Sequence, residues 1–202
     1  MQVKSWSYKG KLINLPYVIK VDKPKEVWGI FGDSFAQLRE NELHFESKGA
    51  FPYEYSWISF LGNACNAQCE SYGVSNASIP DIIYTILNCK KSYDRYIIFM
   101  TSPDRPNIFS PEKLKVSLCE ELKEFLKGKK ALICYWDEKH KIFNFGHQYI
   151  MCDKHITNPS ENDSTYVANS NPLDHQFGYH HMSLRGNFLF FLDLQKAIKY
   201  VS

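Results

Sequence analysis

The sequence has no long apolar run. Its longest apolar stretch, residues 188–201, is interrupted by four polar or charged side chains (Asp193, Gln195, Lys196 and Lys199), so it is too short and too charged to span a bilayer. Residues 1–11 have neither an apolar core nor a small-residue cleavage pattern, so no signal peptide is predicted. We therefore expect a protein of the cytoplasm or of a larger particle, with no membrane insertion.

Neither sign of charge predominates in the chain. The 24 Lys and Arg residues and 22 Asp and Glu residues give a formal net charge of +2. The densest basic segment, residues 123–130, mixes Lys with Glu and Leu, which is typical of a solvated helix face. A nucleic-acid-binding surface concentrates Lys and Arg on one face, so no nucleic-acid partner is predicted.

The cysteine pattern favours neither a disulfide framework nor a metal site. Without a secretory signal, the six cysteines are expected to be reduced thiols inside helices and strands. Two of them are four residues apart, but no second pair completes a zinc site. We therefore predict no metal and no cofactor. The six are Cys65, Cys69, Cys89, Cys119, Cys134 and Cys152.

No repeat, low-complexity segment or linker divides the chain, so residues 1–202 are predicted to form a single domain. Short apolar runs alternate with amphipathic stretches, a pattern typical of β-α-β units. The expected fold is a three-layer α/β/α sandwich around a mainly parallel sheet of about five strands. Strands are predicted at 27–31, 68–72, 96–100 and 131–136, and helices at 57–65, 79–87, 111–127 and 187–200.

The first motif that carries chemistry is Gly32-Asp33-Ser34, at the end of the first predicted parallel strand. A serine hydroxyl becomes a nucleophile when a base takes its proton and backbone donors hold the resulting oxyanion. Ser34 would lie at the carboxyl edge of the sheet, where open α/β folds bind ligands. Taken alone, the motif is equally typical of an ordinary helix N-cap.

The second motif is a histidine pair, His180 and His181, just ahead of the last predicted helix. A histidine there can serve as a general base at the sheet edge. Adjacent residues in extended chain point opposite ways, so only one of the two can face Ser34. Asp174, His175 and the pair could also bind a metal, but a serine partner accounts for one histidine better.

In this order the two motifs resemble the SGNH (GDSL-type) hydrolase family over most of the chain. In that family the serine of Gly-Asp-Ser follows the first strand, and a histidine lies five residues before a Gly that opens the last helix. Gly186 has that spacing from His181 and not from His180. The resemblance therefore implies that Ser34 is the nucleophile and His181 the general base.

A second family block is matched by residues 72–79, which begin Tyr72-Gly73-Val74-Ser75-Asn76. The family usually has Gly at the position of Asn76, and the backbone N–H of that residue is an oxyanion donor. The resemblance implies that Asn76 supplies this N–H, and that Gly73 lies beside the bound substrate.

The third family block, Gly-x-Asn-Asp after the central strand, departs from the pattern. Pro103 stands where the oxyanion-binding Asn is expected, and proline has neither a side-chain amide nor an N–H. Loss of one oxyanion donor costs roughly 10²–10³ in rate. The residues nearby that can substitute are Thr101, Ser102, Arg105 and Asn107.

The triad acid is displaced as well. The family places Asp three residues before the histidine, where this chain has Gly178. Asp174 is the nearest candidate to orient His181; the alternative is a Ser–His dyad, with a backbone carbonyl orienting the imidazole.

The resemblance implies a serine hydrolase with a small-molecule or glycan ester as substrate: a carbohydrate O-acetyl ester, a lipid ester or a thioester. The 15% aromatic content and the lack of a long apolar lid favour a sugar ester. Because both departures fall on catalytic blocks, the rival interpretation is a binding or structural protein on the same scaffold, for instance in a viral or cell-surface assembly.

Overall fold

A six-stranded sheet lies at the centre of the described molecule, and helices cover both of its faces. The computed structural model describes residues 5–8, 11–14, 16–33, 36, 56–74, 77–101, 105, 115–135, 149–151 and 184–199. In these ranges the strands are β1 (Ser5–Tyr8), β2 (Lys11–Asn14), β3 (Tyr17–Ile19), β4 (Glu26–Gly32), β5 (Ala67–Gly73), β6 (Arg95–Phe99), β7 (Ala131–Tyr135) and β8 (Tyr149–Met151). The helices are α1 (Trp57–Cys65), α2 (Ile79–Asn88), α3 (Lys115–Leu126) and α4 (Leu184–Ile198).

The order of the strands is that of a doubly wound sheet. It runs β3-β5-β4-β6-β7-β8, and every neighbouring pair is parallel except β3 with β5. The expected α/β fold with about five parallel strands is therefore confirmed. The antiparallel edge strand β3 and the separate β1–β2 hairpin were not predicted.

The three layers follow from the alternation of side chains along buried strands. In β6, Ile97 and Phe99 face one core, which contains residues of α1 and α4. Tyr96 and Ile98 face the other core, which contains residues of α2 and α3. Because the strands are apolar on both faces, each face of the sheet must be covered by a layer of helices. This arrangement is the three-layer sandwich expected from the sequence.

Local capping sets the bounds of the first two helices. The Ser56 hydroxyl accepts a hydrogen bond from the Ser59 N–H, and Asn66 ends α1 in the left-handed conformation. Ser78 and Asp81 form a reciprocal capping box at the start of α2. The predicted start of α3 near residue 110 lies outside the described residues.

The start of α4 was predicted wrongly. The sequence analysis placed it at Asn187, after Gly186, whereas the helix begins at Leu184. Leucine and arginine are strong helix formers, and one glycine costs only about 1 kcal/mol, so Gly186 does not prevent helix formation in the first turn. No helix in the described ranges is both long and apolar enough to cross a membrane.

The described cysteines are free thiols. Three of them, Cys69, Cys119 and Cys134, are buried in the two cores, and Cys65 and Cys89 are partly buried. Cys152 lies outside the described residues. The described part of the chain contains no group of three His, Cys, Asp or Glu residues that could hold a metal ion.

Candidate active site

The carboxyl ends of β4 and β5 lie side by side at one edge of the sheet. Gly32, the last residue of β4, is the register partner of Gly73, the last residue of β5. The Val74 N–H donates to the Gly32 carbonyl at 3.0 Å, so the contact continues beyond the strands. The first two motifs of the sequence analysis therefore adjoin each other at the edge where α/β folds bind ligands.

Both sides of Ser34 are fixed, although Ser34 itself lies outside the described residues. The Ala36 N–H donates to the Asp33 carbonyl at 3.1 Å, and the Ser71 hydroxyl of β5 donates to the Ala36 carbonyl. Gly32 leaves no room for a side chain, because a Cβ there would lie 2.8 Å from the Ala36 Cβ. Ala36 is thus held against β5.

The second family block, residues 72–79, contains a backbone hydrogen bond between residues three apart, like that between Ala36 and Asp33. The Ala77 N–H donates to the Val74 carbonyl at 3.1 Å, so described residues on both sides of Ser75 and Asn76 are joined. Asn76 lies outside the described residues. The Gly73 N–H donates to the Ser71 hydroxyl at 3.4 Å, so this N–H is engaged within β5.

A buried ion pair adjoins the Ser34 position. The Arg105 Nη1 lies 3.1 Å from the Asp33 Oδ2; Asp33 is fully buried and the Arg105 side chain is 29% exposed. A buried carboxylate is costly unless it is paired, so Arg105 stabilises the charge of Asp33. The Arg105 Nη1 is buried and has no aligned hydrogen-bond acceptor among the described residues, which leaves donor capacity for a bound molecule.

Thr101 provides a second polar group without a hydrogen-bond partner. The residue follows β6 closely and is fully buried, and its hydroxyl makes no hydrogen bond with the described protein. The Met100 N–H donates to the Cys134 carbonyl at 2.8 Å, which holds this part of the chain beside β7. An unsatisfied buried hydroxyl costs about 1–3 kcal/mol, so a ligand or water that pairs with it is favoured.

The first turn of α4 is held beside the first turn of α1. The Trp57 N–H donates to the Asn187 Oδ1 at 3.0 Å, and the Trp57 ring packs edge-on against Phe190 at 5.2 Å. Because α1 connects the carboxyl end of β4 to the start of β5, its first turn lies at the carboxyl edge. The start of α4, three residues after His181, lies at the same edge.

The structure describes three of the predicted site residues, namely Gly73, Thr101 and Arg105. The other five, Ser34, Asn76, Ser102, Asp174 and His181, lie outside the described residues, as does His180. Asp33 was not among the predicted site residues. Two features of the sequence could have identified it. Asp33 directly precedes the candidate nucleophile, and Arg105 lies in the block that lacks the expected Asn.

Comparison with known proteins gives structural matches only. No protein-family model and no curated protein sequence matches the chain. A putative lipolytic protein of the G-D-S-L family from Desulfitobacterium hafniense aligns with a TM-score of 0.54 at 11% identity, covering 85% of this chain and 98% of its own. A G-D-S-L family lipolytic protein from Veillonella parvula aligns with a TM-score of 0.53 at 14% identity, over 86% and 98%.

A carbohydrate esterase is also similar in structure. The family two carbohydrate esterase from Clostridium thermocellum, solved in complex with cellohexaose, aligns with a TM-score of 0.55 at 14% identity. The alignment covers 95% of this chain and 67% of the esterase. These likenesses show that the chain has an SGNH-type hydrolase fold, which the Gly-Asp-Ser motif had indicated. The neighbours are esterases and lipolytic proteins, so the fold is one used for ester hydrolysis.

Proposed function

We propose that this protein is a serine esterase that works through an acyl-enzyme intermediate on Ser34. The observation that carries the proposal is the junction of the first two motifs at the carboxyl edge, where Gly32 pairs with Gly73 and the Val74 N–H binds the Gly32 carbonyl. The fold shared with lipolytic proteins and a carbohydrate esterase supports it.

The reaction would proceed in two halves. The Ser34 hydroxyl attacks the ester carbonyl carbon while His181 takes its proton, and the tetrahedral intermediate expels the alcohol as His181 returns that proton. Water, deprotonated by His181, then attacks the acyl carbon; the bond to the Ser34 oxygen breaks, His181 returns the proton to that oxygen, and the carboxylic acid is released. Asp174 holds the imidazole in the productive tautomer.

The oxyanion would be held by the backbone N–H groups of Ser34 and Asn76 and by a donor from the third block. Pro103 cannot supply that donor. The Thr101 hydroxyl and the Arg105 Nη1 can, because both are buried and neither has an aligned hydrogen-bond partner in the described part of the chain. A charged donor held in place by Asp33 suits a developing negative charge.

A carbohydrate O-acetyl ester is the proposed substrate. The similarity to a carbohydrate esterase solved with an oligosaccharide supports this choice, and the aromatic content of the chain is compatible with stacking on sugar rings. Lipid esters and thioesters remain the alternatives, and the proposed experiment separates them.

The test is steady-state hydrolysis of acetylated cello-oligosaccharides, long-chain p-nitrophenyl esters and an acyl thioester. We expect the acetylated sugar to be preferred and Ser34→Ala to lose at least about 10³-fold in kcat. Ser117→Ala is the matched control, because Ser117 is exposed on α3, and it should keep full activity. Asp174→Asn should lose up to about 10⁴-fold in a triad and little in a dyad. Unchanged hydrolysis by Ser34→Ala would contradict the proposal.

A second candidate is a carbohydrate-binding protein on the same scaffold. It is favoured by the third block, where Pro103 replaces the expected Asn and Arg105 is held by Asp33. In that case the wild-type protein would bind the acetylated oligosaccharide saturably and would release no acetate.

A further inference from the structure

Arg95 lies at the opposite edge of the sheet and has no carboxylate partner among the described residues. It is the first residue of β6 and is only 3% exposed. Its Nε and Nη1 atoms are buried and make no hydrogen bond, and no described carboxylate forms an ion pair with it. Buried cations in proteins are normally paired, so a hydrogen-bond acceptor bound to this guanidinium would be stabilising.

The groups that adjoin Arg95 on β4 do not supply one. Its register partner is Trp28, whose ring centroid lies 5.3 Å from the guanidinium carbon. This cation–π contact stabilises part of the Arg95 charge, but it provides no hydrogen-bond acceptor for the N–H groups of the guanidinium. The Glu26 carboxylate at the same edge accepts from the Trp28 Nε1 at 2.5 Å and contacts the Lys130 Nζ at 3.9 Å.

The ends of α1 and α4 adjoin the same place. Cys65 is the last residue of α1, and Lys199 directly follows α4. Burial raises the pKa of the Cys65 thiol, and the charge of Glu26 raises it as well, whereas the charges of Arg95 and Lys199 lower it. Cys65 packs against the core cluster that contains Trp28 of β4 and Ile198 of α4, and Trp28 is the residue that Arg95 contacts.

We propose that Arg95 anchors a binding site for a small oxyanion, a phosphate or a carboxylate, between the ends of α1 and α4 at the amino edge of the sheet. An oxyanion would accept from the unpaired guanidinium donors with strong charge-assisted hydrogen bonds, and Lys199 would add to the attraction. Arg95 is level with Trp28, four residues and roughly 13 Å before the end of β4 at Gly32, so this site is separate from the Ser34 edge.

Phosphate and acetate, each titrated in a low-chloride buffer, test the proposal by calorimetry and by the thermal unfolding midpoint. We expect saturable binding of at least one of the two anions by the wild-type protein, and the anion that binds identifies the class of ligand. Arg95→Gln should lose the binding and the thermal shift. Lys196→Gln is the matched control, because Lys196 is exposed on α4 and pairs with Asp193 at 3.4 Å.

A second measurement locates the site without relying on a variant. Bound anion should slow iodoacetamide labelling of Cys65 several-fold in the wild-type protein, because it covers the thiol and offsets the charge of Arg95. Cys89, a partly buried thiol at the end of α2, should label at an unchanged rate.

Three results would overturn the proposal. They are no saturable binding of either anion by the wild-type protein, binding by Arg95→Gln equal to wild type, and no slowing of Cys65 labelling at saturating anion. Arg95→Met gives a further check: if it were more stable than the wild-type protein with saturating anion, Arg95 would be only a buried charge packed on Trp28.

Discussion

At Gly32 the size of one side chain controls how closely the end of β4 can approach β6. A Cβ at this position would lie 2.8 Å from the Ala36 Cβ and 2.9 Å from the Phe99 Cβ. Contacts this short force the backbone apart, and the backbone here leads directly into Ser34. The need for glycine in the Gly-Asp-Ser motif is therefore one of packing between strands.

We expect Gly32→Ala to lower the free energy of unfolding by about 1–3 kcal/mol, through overpacking, and also to abolish ester hydrolysis. Urea unfolding and initial rates measure the two effects. Gly128→Ala is the control: it meets no atom within 4 Å but has a φ of +74°, so it should cost about 1 kcal/mol and leave the rate unchanged. Wild-type stability and turnover in Gly32→Ala would contradict the packing argument.

The pair of Asp33 and Arg105 should be important for both stability and rate. Arg105→Gln leaves the buried carboxylate without its cation, so we expect a loss of about 1–3 kcal/mol in unfolding free energy. If Arg105 also binds the oxyanion, kcat should fall by about 10²–10³.

A double-mutant cycle separates the two effects of Arg105. Asp33→Asn combined with Arg105→Gln should recover part of the stability and none of the rate. Lys127→Gln, which breaks an exposed pair with Glu124 at 3.4 Å, should change neither. Equal kcat in Arg105→Gln and wild type would limit Arg105 to a structural role.

Among the elements, those with long and regular patterns could be predicted from the sequence. The bounds of α1 agree to the residue, and β4 and β5 each extend one residue beyond the prediction at either end. These elements combine continuous apolar runs or helical periodicity with a clear cap or turn, so local and tertiary preferences agree.

Elements that depend on tertiary contacts could not be predicted. Strand β3 has three residues, of which only Ile19 is buried, and its backbone pairing with β5 leaves no pattern in the sequence. The contact of Asp33 with Arg105 likewise joins two loops that only the sheet brings together. The Gly-Asp-Ser motif identified the edge of the candidate site, but not the neighbours of Asp33.

The capping box of α2 supports the second block, because Ser78 follows directly after the Val74–Ala77 hydrogen bond. The Asp81 carboxylate accepts from the Ser78 N–H at 3.0 Å and from its hydroxyl at 2.7 Å, in a fully buried setting. Ser78→Ala should therefore cost about 1–2 kcal/mol in chemical denaturation. Ser117→Ala, on the exposed face of α3, should cost much less, and equal losses would contradict the role of the cap.

The whole molecule should lose stability at alkaline pH. Burial raises the pKa of the Cys69 thiol from 9.0 to about 12, and burial also raises the pKa of Tyr93 and Tyr135. Between pH 9 and 12 the unfolded chain therefore binds fewer protons at Cys69 than the folded protein, so stability falls as pH rises. The contribution of this thiol is complete below pH 9.

The pH dependence can be assigned to Cys69 by comparison with Cys69→Ala. Between pH 8.0 and 10.5 the wild-type protein should lose about 2 kcal/mol more than the variant, as measured by urea unfolding. The tyrosines contribute equally to both proteins. Parallel losses in the two proteins would show that Cys69 does not titrate differently in the folded and unfolded states.

The central claim is that the edge where β4 and β5 end contains an activated serine. A fluorophosphonate probe, followed by mass spectrometry of the labelled peptides, tests it most directly, because the probe requires a nucleophilic serine and reports its position. We expect one adduct on Ser34, absent after prior denaturation and lost in His181→Ala. No adduct on the folded protein, or an adduct on another serine that persists in Ser34→Ala, would contradict it.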